Sequence, residues 1–271
     1  MKWTGEAEAA IKKVPFFVRK RVRARVEKEA AQEGKRVITP AEITATQKRY
    51  LTSMESEVRG YQVEGCFGPS GCPNRAVHDS AALAAAIEDV CREADLLGFL
   101  KKTVSGPLKF HHEFRISLAD CPNACSQPQI KDIGIIGAAV PAITESPCSA
   151  CGACVSSCRE DAITLEENPP APGIDSARCV ACGRCMAECP TGTLVVGASG
   201  YRIQIGGKLG RHPQLARELP GIYTADQTLA VVKAAIALYK ARSTGGQRFG
   251  ELLAPADLTQ LSAAGGQATA R

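Results

Sequence analysis

The chain has no apolar h-region in its first 30 residues, which are charged throughout, and this excludes a secretory signal peptide. No stretch approaches the roughly 18 consecutive apolar residues of a spanning helix, which excludes a membrane span. No nucleic-acid recognition motif accompanies its basic residues, so nucleic acid is not the expected partner. Those basic residues are unevenly placed. Residues 1–50 hold 13 Lys/Arg against 6 Asp/Glu, and the formal net charge of +5 comes from this segment. With 271 residues, 45% of them apolar, the chain has room for one large domain or a few small ones. What it has in excess is cysteine, 13 in short-spaced groups. Without an export signal such groups read as metal ligation in a reducing, cytoplasmic compartment rather than as a disulfide framework.

Residues 1–50 are expected to form a basic helical arm. Glu6 to Val14 suits a short helix and Pro15 the first turn of a second. In that second helix Val18, Val22 and Val26 recur at four-residue spacing among Arg19, Lys20, Arg21, Arg23 and Arg25, a stripe expected to pack on the protein body. Gly34 is placed to stop it, and Thr39-Pro40-Ala41-Glu42 reads as a capping box opening a third helix. From about residue 57 strand and helix patterns alternate. A helix begins near Ser80 with Leu83, Ile87, Val90, Ala94 and Leu97 on one face. Strands are predicted over Phe110–Leu118, which would turn His111 and His112 to opposite faces, over Ile133–Ile136 and over 201–205. A last helix runs from Asp226 to about Arg242 behind the cap Thr224, and residues 254–271, small and polar, are expected to be disordered.

The most specific pattern is Cys148-x2-Cys151-x2-Cys154-x3-Cys158, repeated as Cys179-x2-Cys182-x2-Cys185-x3-Cys189-Pro190. This is two-cluster ferredoxin spacing, in which the fourth cysteine of each run ligates the other run's [4Fe–4S] cluster. A tight loop aims three thiolates at one cluster, and a helical turn later the fourth points away. One cubane is therefore assigned to Cys148, Cys151, Cys154 and Cys189, the other to Cys179, Cys182, Cys185 and Cys158. Arg159 stands where a Pro is usual. Zinc is the competing ligand chemistry, but zinc ribbons use two Cys pairs rather than two four-Cys runs.

A second constellation is Cys66-x5-Cys72 with Cys121-x3-Cys125; neither pair alone is specific. Their settings are Gly65-Cys66-Phe67-Gly68-Pro69-Ser70-Gly71-Cys72, then Asp120-Cys121-Pro122-Asn123-Ala124-Cys125-Ser126-Gln127 and Asp132-Ile133-Gly134-Ile135-Ile136-Gly137. With these the chain resembles the sulfite and nitrite reductase family. The resemblance implies a third [4Fe–4S] cluster on Cys66, Cys72, Cys121 and Cys125, with Cys125 as the thiolate shared with a siroheme. Gly200-Tyr201-Arg202-Ile203 and Gly206-Gly207-Lys208-Leu209-Gly210-Arg211-His212-Pro213 look like the closing part of the same domain. The implied fold is α+β: a reductase-like α/β domain over 57–145 and 194–253, with a ferredoxin domain inserted at 146–193 as in dissimilatory and anaerobic sulfite reductases. The implied siroheme contacts are Arg75, Lys131, Lys208 and Arg211, with Lys109 a further candidate; ordinary solvated charge is the alternative for each. Cys91, on the apolar side of the helix after Ser80, is left over and reads as a buried, inert thiol.

The arm, through Trp3-x2-Glu6-Ala7, Lys13-Val14-Pro15-Phe16-Phe17-Val18-Arg19, Arg23 and Glu27, is similar to the small C-terminal helical domain of light-independent protochlorophyllide reductase. Only Arg49 to Gly65 separates it from Cys66, too little for the half-domain that supplies most anion-binding residues in full sulfite reductases. Two function classes follow. In one, a redox partner protein feeds electrons through the ferredoxin cubanes to the third cluster and siroheme, reducing sulfite or nitrite, with a homodimer or hetero-oligomer completing the pocket. In the other, the chain is a relay or assembly partner without siroheme.

Overall fold

The computed structural model describes residues 1–270, the side chains at 51–55 and 167 excepted. Two compact units result, one of Met1–Val58 with Ser105–His111, the other of Arg59–Val104 with His112 onward.

The first unit holds strand β1 (Lys2–Trp3), helices α1 (Gly5–Lys12) and α2 (Phe16–Gln32), strand β2 (Val37–Ile38) and helix α3 (Pro40–Glu57). Thr4 caps α1, its Oγ1 accepting from Ala7 N–H at 3.2 Å. The Glu42 half of the capping box expected at α3 forms, while the Thr39 hydroxyl turns to the Ala41 amide. Glu42 accepts from the Thr39 backbone N–H at 2.8 Å, and Thr39 Oγ1 accepts from Ala41 N–H. Lys35, with Thr39, holds the Glu42 carboxyl down at about 2. The valine stripe is used inside the unit: Val26 and Val22 pack with Ala7, Ala30, Ile38, Trp3 and Ile43. The basic residues do not all face outward either. Arg23 forks onto the Glu8 carboxylate at 3.0 and 2.6 Å and lies over the Trp3 ring, whose Nε1 donates to Glu27.

The second unit is built on a five-stranded sheet. Strand β3 (Tyr61–Gly65) is followed by helices α4 (Ser80–Glu93) and α5 (Leu96–Thr103), then by β4 (Phe114–Ala119) and β5 (Ile133–Ile143). Next come α6 (Ala153–Ser157), β6 (Ile163–Glu167), β7 (Pro170–Ile174), α7 (Arg184–Ala187), β8 (Leu194–Ile205) and β9 (Arg217–Glu218). Helices α8 (Ala225–Arg242), α9 (Phe249–Leu252) and α10 (Pro255–Ala264) close the chain. The sheet order is β3-β4-β5-β8-β9, with β3, β4 and β5 parallel and the later pairs antiparallel. Leu83, Ile87 and Cys91 of α4 and Val231, Val232, Ala235, Ile236 and Tyr239 of α8 join Phe114, Ile116, Ile133, Ile135, Ile203 and Ile205 of the sheet in one core. Thr224 caps α8 in a full capping box with Gln227.

Four expectations are corrected. The helix after Ser80 breaks at Ala94, because Asp95 turns left-handed (φ 46°) and caps a new helix by accepting from Gly98 N–H, so Leu97 belongs to α5. Phe110–His112 form a 3-10 turn and the strand starts at Phe114, so His111 and His112 are not on opposite strand faces. The strands at 133 and 201 are pieces of a long antiparallel pair, Ile133 against Ile205 through to Ile143 against Leu194. Their small residues (Gly134, Gly137, Ala138, Ala139) hide the alternation, because this sheet is buried on both faces. Finally, residues 254–270 are not a disordered tail, and Arg271 lies outside the described residues. Pro255 opens α10, Leu261 is buried, Gly265 packs against the Tyr223 ring, and Ile222 and Thr269 exchange backbone hydrogen bonds at 2.8 and 3.0 Å. Small residues there serve close packing.

Arg242 ties α10 to α8 through a forked pair with the nearly buried Asp257, at 2.6 and 2.8 Å. Arg242 holds the Asp257 carboxyl below its ordinary range. A depressed carboxylate contributes stability above its unfolded value and loses it as pH falls through the folded one. Arg242→Met should therefore speed amide exchange in α10 and lower the urea midpoint by a constant amount between about pH 8 and 5. The difference should shrink only below about pH 4, the ordinary Asp range.

Candidate functional site: three four-cysteine sets

Residues 146–193 occupy the tip of the β5–β8 hairpin. Thr144 N–H donates to Thr193 O at 2.8 Å at its neck, and β6 pairs with β7 inside it. Around one small void stand Cys148, Cys151, Cys154 and Cys189. Around a cavity of about 130 Å³ stand Cys179, Cys182, Cys185 and Cys158. Each void thus gathers three cysteines of one run and the fourth of the other. Backbone N–H groups point at the sulfurs: Ala150 to Cys148, Ala162 to Cys158, Ala181 to Cys179 and Leu194 to Cys189, all at 3.4 Å. The Leu194 amide, helped by the Thr191 hydroxyl, brings the Cys189 thiol down to about 7, whereas burial pushes Cys185 up to about 11. A buried thiolate needs a compensating positive charge, and iron supplies one. Among the described residues, no three Cys, His, Asp or Glu groups converge as ligands of a single ion would. The donor chemistry and the amides fit cubanes, whose thiolates are spread over four irons.

The third set is carried by the sheet's strand ends. Cys66 follows β3 and Cys121 follows β4, with Cys72 and Cys125 on the ensuing loops. Cys66 Sγ accepts from Gly68 N–H at 3.4 Å and from Asp120 N–H at 3.3 Å, which joins the two loops. Burial raises the Cys121 thiol, and Cys125, Cys72 and Cys66 all lie close enough to raise it further. Cys121 is buried and Cys125 exposed. Two glycines make the approach possible: a Cβ on Gly68 would sit 2.2 Å from the Asp120 carboxylate, and one on Gly137 of β5 would sit 2.5 Å from the Asp120 carbonyl.

Residues 61–267 match the nitrite and sulphite reductase 4Fe-4S domain. The chain belongs to that family. Residues 3–46 match the proto-chlorophyllide reductase 57 kD subunit. The coenzyme F420-dependent sulfite reductase of Methanocaldococcus jannaschii is 35% identical over 100 residues, 37% of this chain and 14% of that protein. One subunit of the anaerobic sulfite reductase of Salmonella typhimurium is 26% identical over 123 residues, 45% of this chain and 35% of its own. One subunit of the light-independent protochlorophyllide reductase of Chloroflexus aurantiacus is 57% identical over 49 residues, 18% of this chain and 9% of its own. Among solved structures, dissimilatory sulfite reductase I shares the fold, with a TM-score of 0.50 at 18% identity over 74% of this chain and 51% of that one. The chain thus spans about half or less of each of these proteins.

Within this reductase-family domain the implied siroheme cations are not gathered as free charges. Arg75 donates to Asp120 at 2.7 Å, Lys208 to Glu251 at 2.5 Å, and Lys131 to Glu64. Arg211 is exposed. A tetrapyrrole carboxylate would have to share or displace a protein carboxylate at each of the first three, since a Lys or Arg keeps further N–H donors. The exposed thiol of Cys125 fits a shared thiolate; the cations fit as groups whose charge is already partly offset. Cys91 is fully buried and burial pushes its thiol up to about 12, as an inert core group requires. No helix among the described residues is long and apolar enough to cross a membrane.

Sequence reasoning missed the backbone device at these sites. Ala124, Ala150 and Ala181, each just before a cysteine, are all left-handed at φ 52, 56 and 58°. Such a conformation costs a non-glycine residue about 1–3 kcal/mol and persists where its surroundings enforce it. The signal was present as an Ala-Cys dipeptide in all three loops.

Proposed function

We propose that this chain is an iron–sulfur oxidoreductase subunit with three [4Fe–4S] clusters, whose third cluster works beside a siroheme in reducing sulfite or a similar small oxyanion. The observation that supports the reading is that two voids each gather three cysteines of one run and the fourth of the other, while Cys66, Cys72 and the exposed Cys125 lie close to Cys121 at the sheet's strand ends. Cys148, Cys151, Cys154 and Cys189 would hold one cluster, Cys158, Cys179, Cys182 and Cys185 the second, and Cys66, Cys72, Cys121 and Cys125 the third. Siroheme would supply the iron at which the anion is reduced. The chain's own part is to hold the thiolates and shield Cys121 and Cys185 from water, with N–H donors on Cys66, Cys148, Cys158, Cys179 and Cys189 favouring their charged form. The names of the Methanocaldococcus and Salmonella relatives support sulfite as the substrate, and the Salmonella relative, itself a subunit, supports assembly with other subunits. A cytoplasmic redox protein would be the electron donor.

The ion-paired state of Arg75, Lys131 and Lys208 favours a second reading, a relay without siroheme that serves another subunit. Anaerobically purified protein separates the two. The first reading expects about twelve irons per chain and extractable siroheme, whose absorbance Cys125→Ser removes or shifts while the ferredoxin signals persist. Twelve irons without siroheme decide for the relay. Zinc, or about eight irons with Cys66 and Cys125 open to alkylation, sinks the third cluster.

A further inference from the structure

The two cysteine sets of the hairpin-tip domain face different surroundings. The cavity bounded by Cys158, Cys179, Cys182 and Cys185 is also bounded by Asn74, Cys121, Pro122 and Asn123 of the sheet domain's own loops. A member of the third set and all four of the second line one space. The loop carrying the second set is also fastened to the sheet. Ala139 N–H of β5 donates to Ala181 O at 2.8 Å, Ala139 and Cys182 form a parallel bridge, and Arg202 of β8 reaches Val180 O at 3.5 Å while forked onto Glu218. The other set is held at the hairpin neck instead, where Leu194 N–H of β8 donates to Cys189 Sγ at 3.4 Å and Thr144 Oγ1 donates to Gly192 O at 2.8 Å. The residues around its void run from Cys148 to Leu194 at the start of β8 and include none from the loops that carry the third set, and Cys151 is exposed. It meets the sheet domain's 73–78 loop only across a wide cleft of about 880 Å³, through Cys189.

Resting on the three-cluster reading, we infer that the two sets have fixed and unequal places in the relay. The Cys148, Cys151, Cys154, Cys189 set receives electrons from a reduced one-electron carrier at the exposed Cys151 side. The Cys158, Cys179, Cys182, Cys185 set delivers them to the Cys66, Cys72, Cys121, Cys125 set across the Asn74, Pro122, Asn123 wall. Each transfer moves one electron: the carrier is oxidised as the outer set's cluster is reduced, and the same holds at each later step, with no bond made or broken. The run order along the chain does not give this, since Cys158 lies in the first run and serves the inner site.

Paramagnetic coupling tests the order without any turnover. In the full, cluster-loaded chain, reduced and frozen, the third cluster's resonance is identified by its loss in Cys125→Ser. Its relaxation should be fast in the unmodified chain and in Cys151→Ser, and slower by severalfold in Cys179→Ser, which removes its nearest paramagnetic neighbour. Slowing in Cys151→Ser alone overturns the order. If a serine variant does not fold, a soluble gadolinium chelate added to the unmodified chain gives the same answer. It should speed relaxation of one ferredoxin-type signal well before the other, and the third cluster's resonance should broaden on reduction of the less accessible one. Broadening on reduction of the more accessible one overturns the inference. An unmodified chain with about eight irons and no third resonance overturns the three-cluster reading and the inference with it, a result distinct from either order.

Discussion

Cys158→Ser should abolish or convert the cluster held by Cys179, Cys182 and Cys185 and spare the one held by Cys148, Cys151 and Cys154, its own neighbours in sequence. The reason lies in the x3 spacing. Cys154 sits in α6 and Cys158 just past its end, in an extended conformation that turns its thiol to the second cavity. Ala162 N–H holds Cys158 Sγ there, and Cys185 feels its charge. The iron content should drop from about twelve to about eight per chain or, with a three-iron product, to about eleven. Cys154→Ser should remove the opposite signal. Anaerobic iron analysis paired with low-temperature resonance checks both, and identical losses in the two variants would show the crossed partition to be wrong.

Excising residues 145–192 and joining Thr144 to Thr193 through a two-residue Asn-Gly turn should leave a folded sheet domain that binds about four irons per chain. The neck supports this: Ile143 pairs with Leu194, Thr144 N–H reaches Thr193 O, and the flanking strands remain antiparallel over their whole length. A two-residue type I′ turn suits such a hairpin. The excision loses the Ala139–Ala181 hydrogen bond and the contact of Ala181 with Ala138 and Ile222, so stability should fall without collapse. Amide protection over 133–138 and 200–205, with third-cluster absorbance retained, is the expected result. An aggregated product without iron would mean that the inserted domain is a scaffold for the sheet rather than an appendage.

Much of this was legible in the sequence because cysteine spacing is local chemistry. The repeated run alone implied the crossed partition, Thr39 with Glu42 marked the start of α3, and Thr224 marked that of α8 to within one residue. The long hairpin was not legible. Its central strand is rich in Gly and Ala because neighbouring loops press on it, and small residues carry no alternation signal. The tail was misread for the same reason, since Ala263 to Gly266 have the composition of a flexible end, yet Gly265 packs on Tyr223. The cations misled in another way. A sequence shows Arg75, Lys131 and Lys208 as charges available to a ligand and hides Asp120, Glu64 and Glu251, which reach them from distant segments.

Strand β5 touches both cysteine-bearing loops at positions two residues apart. Gly137 lies under the Asp120 carbonyl next to Cys121, and Ala139 bonds the backbone beside Cys182. Two strand residues span roughly 7 Å. The gap between those two loops is therefore ruled off by a length of pleated backbone in the middle of a sheet, with no hinge between the contacts. In the relay order inferred above, electron tunnelling across it would proceed at a fixed separation, indifferent to solvent viscosity, and conformational gating of the throughput would act upstream, at the exposed Cys151 side.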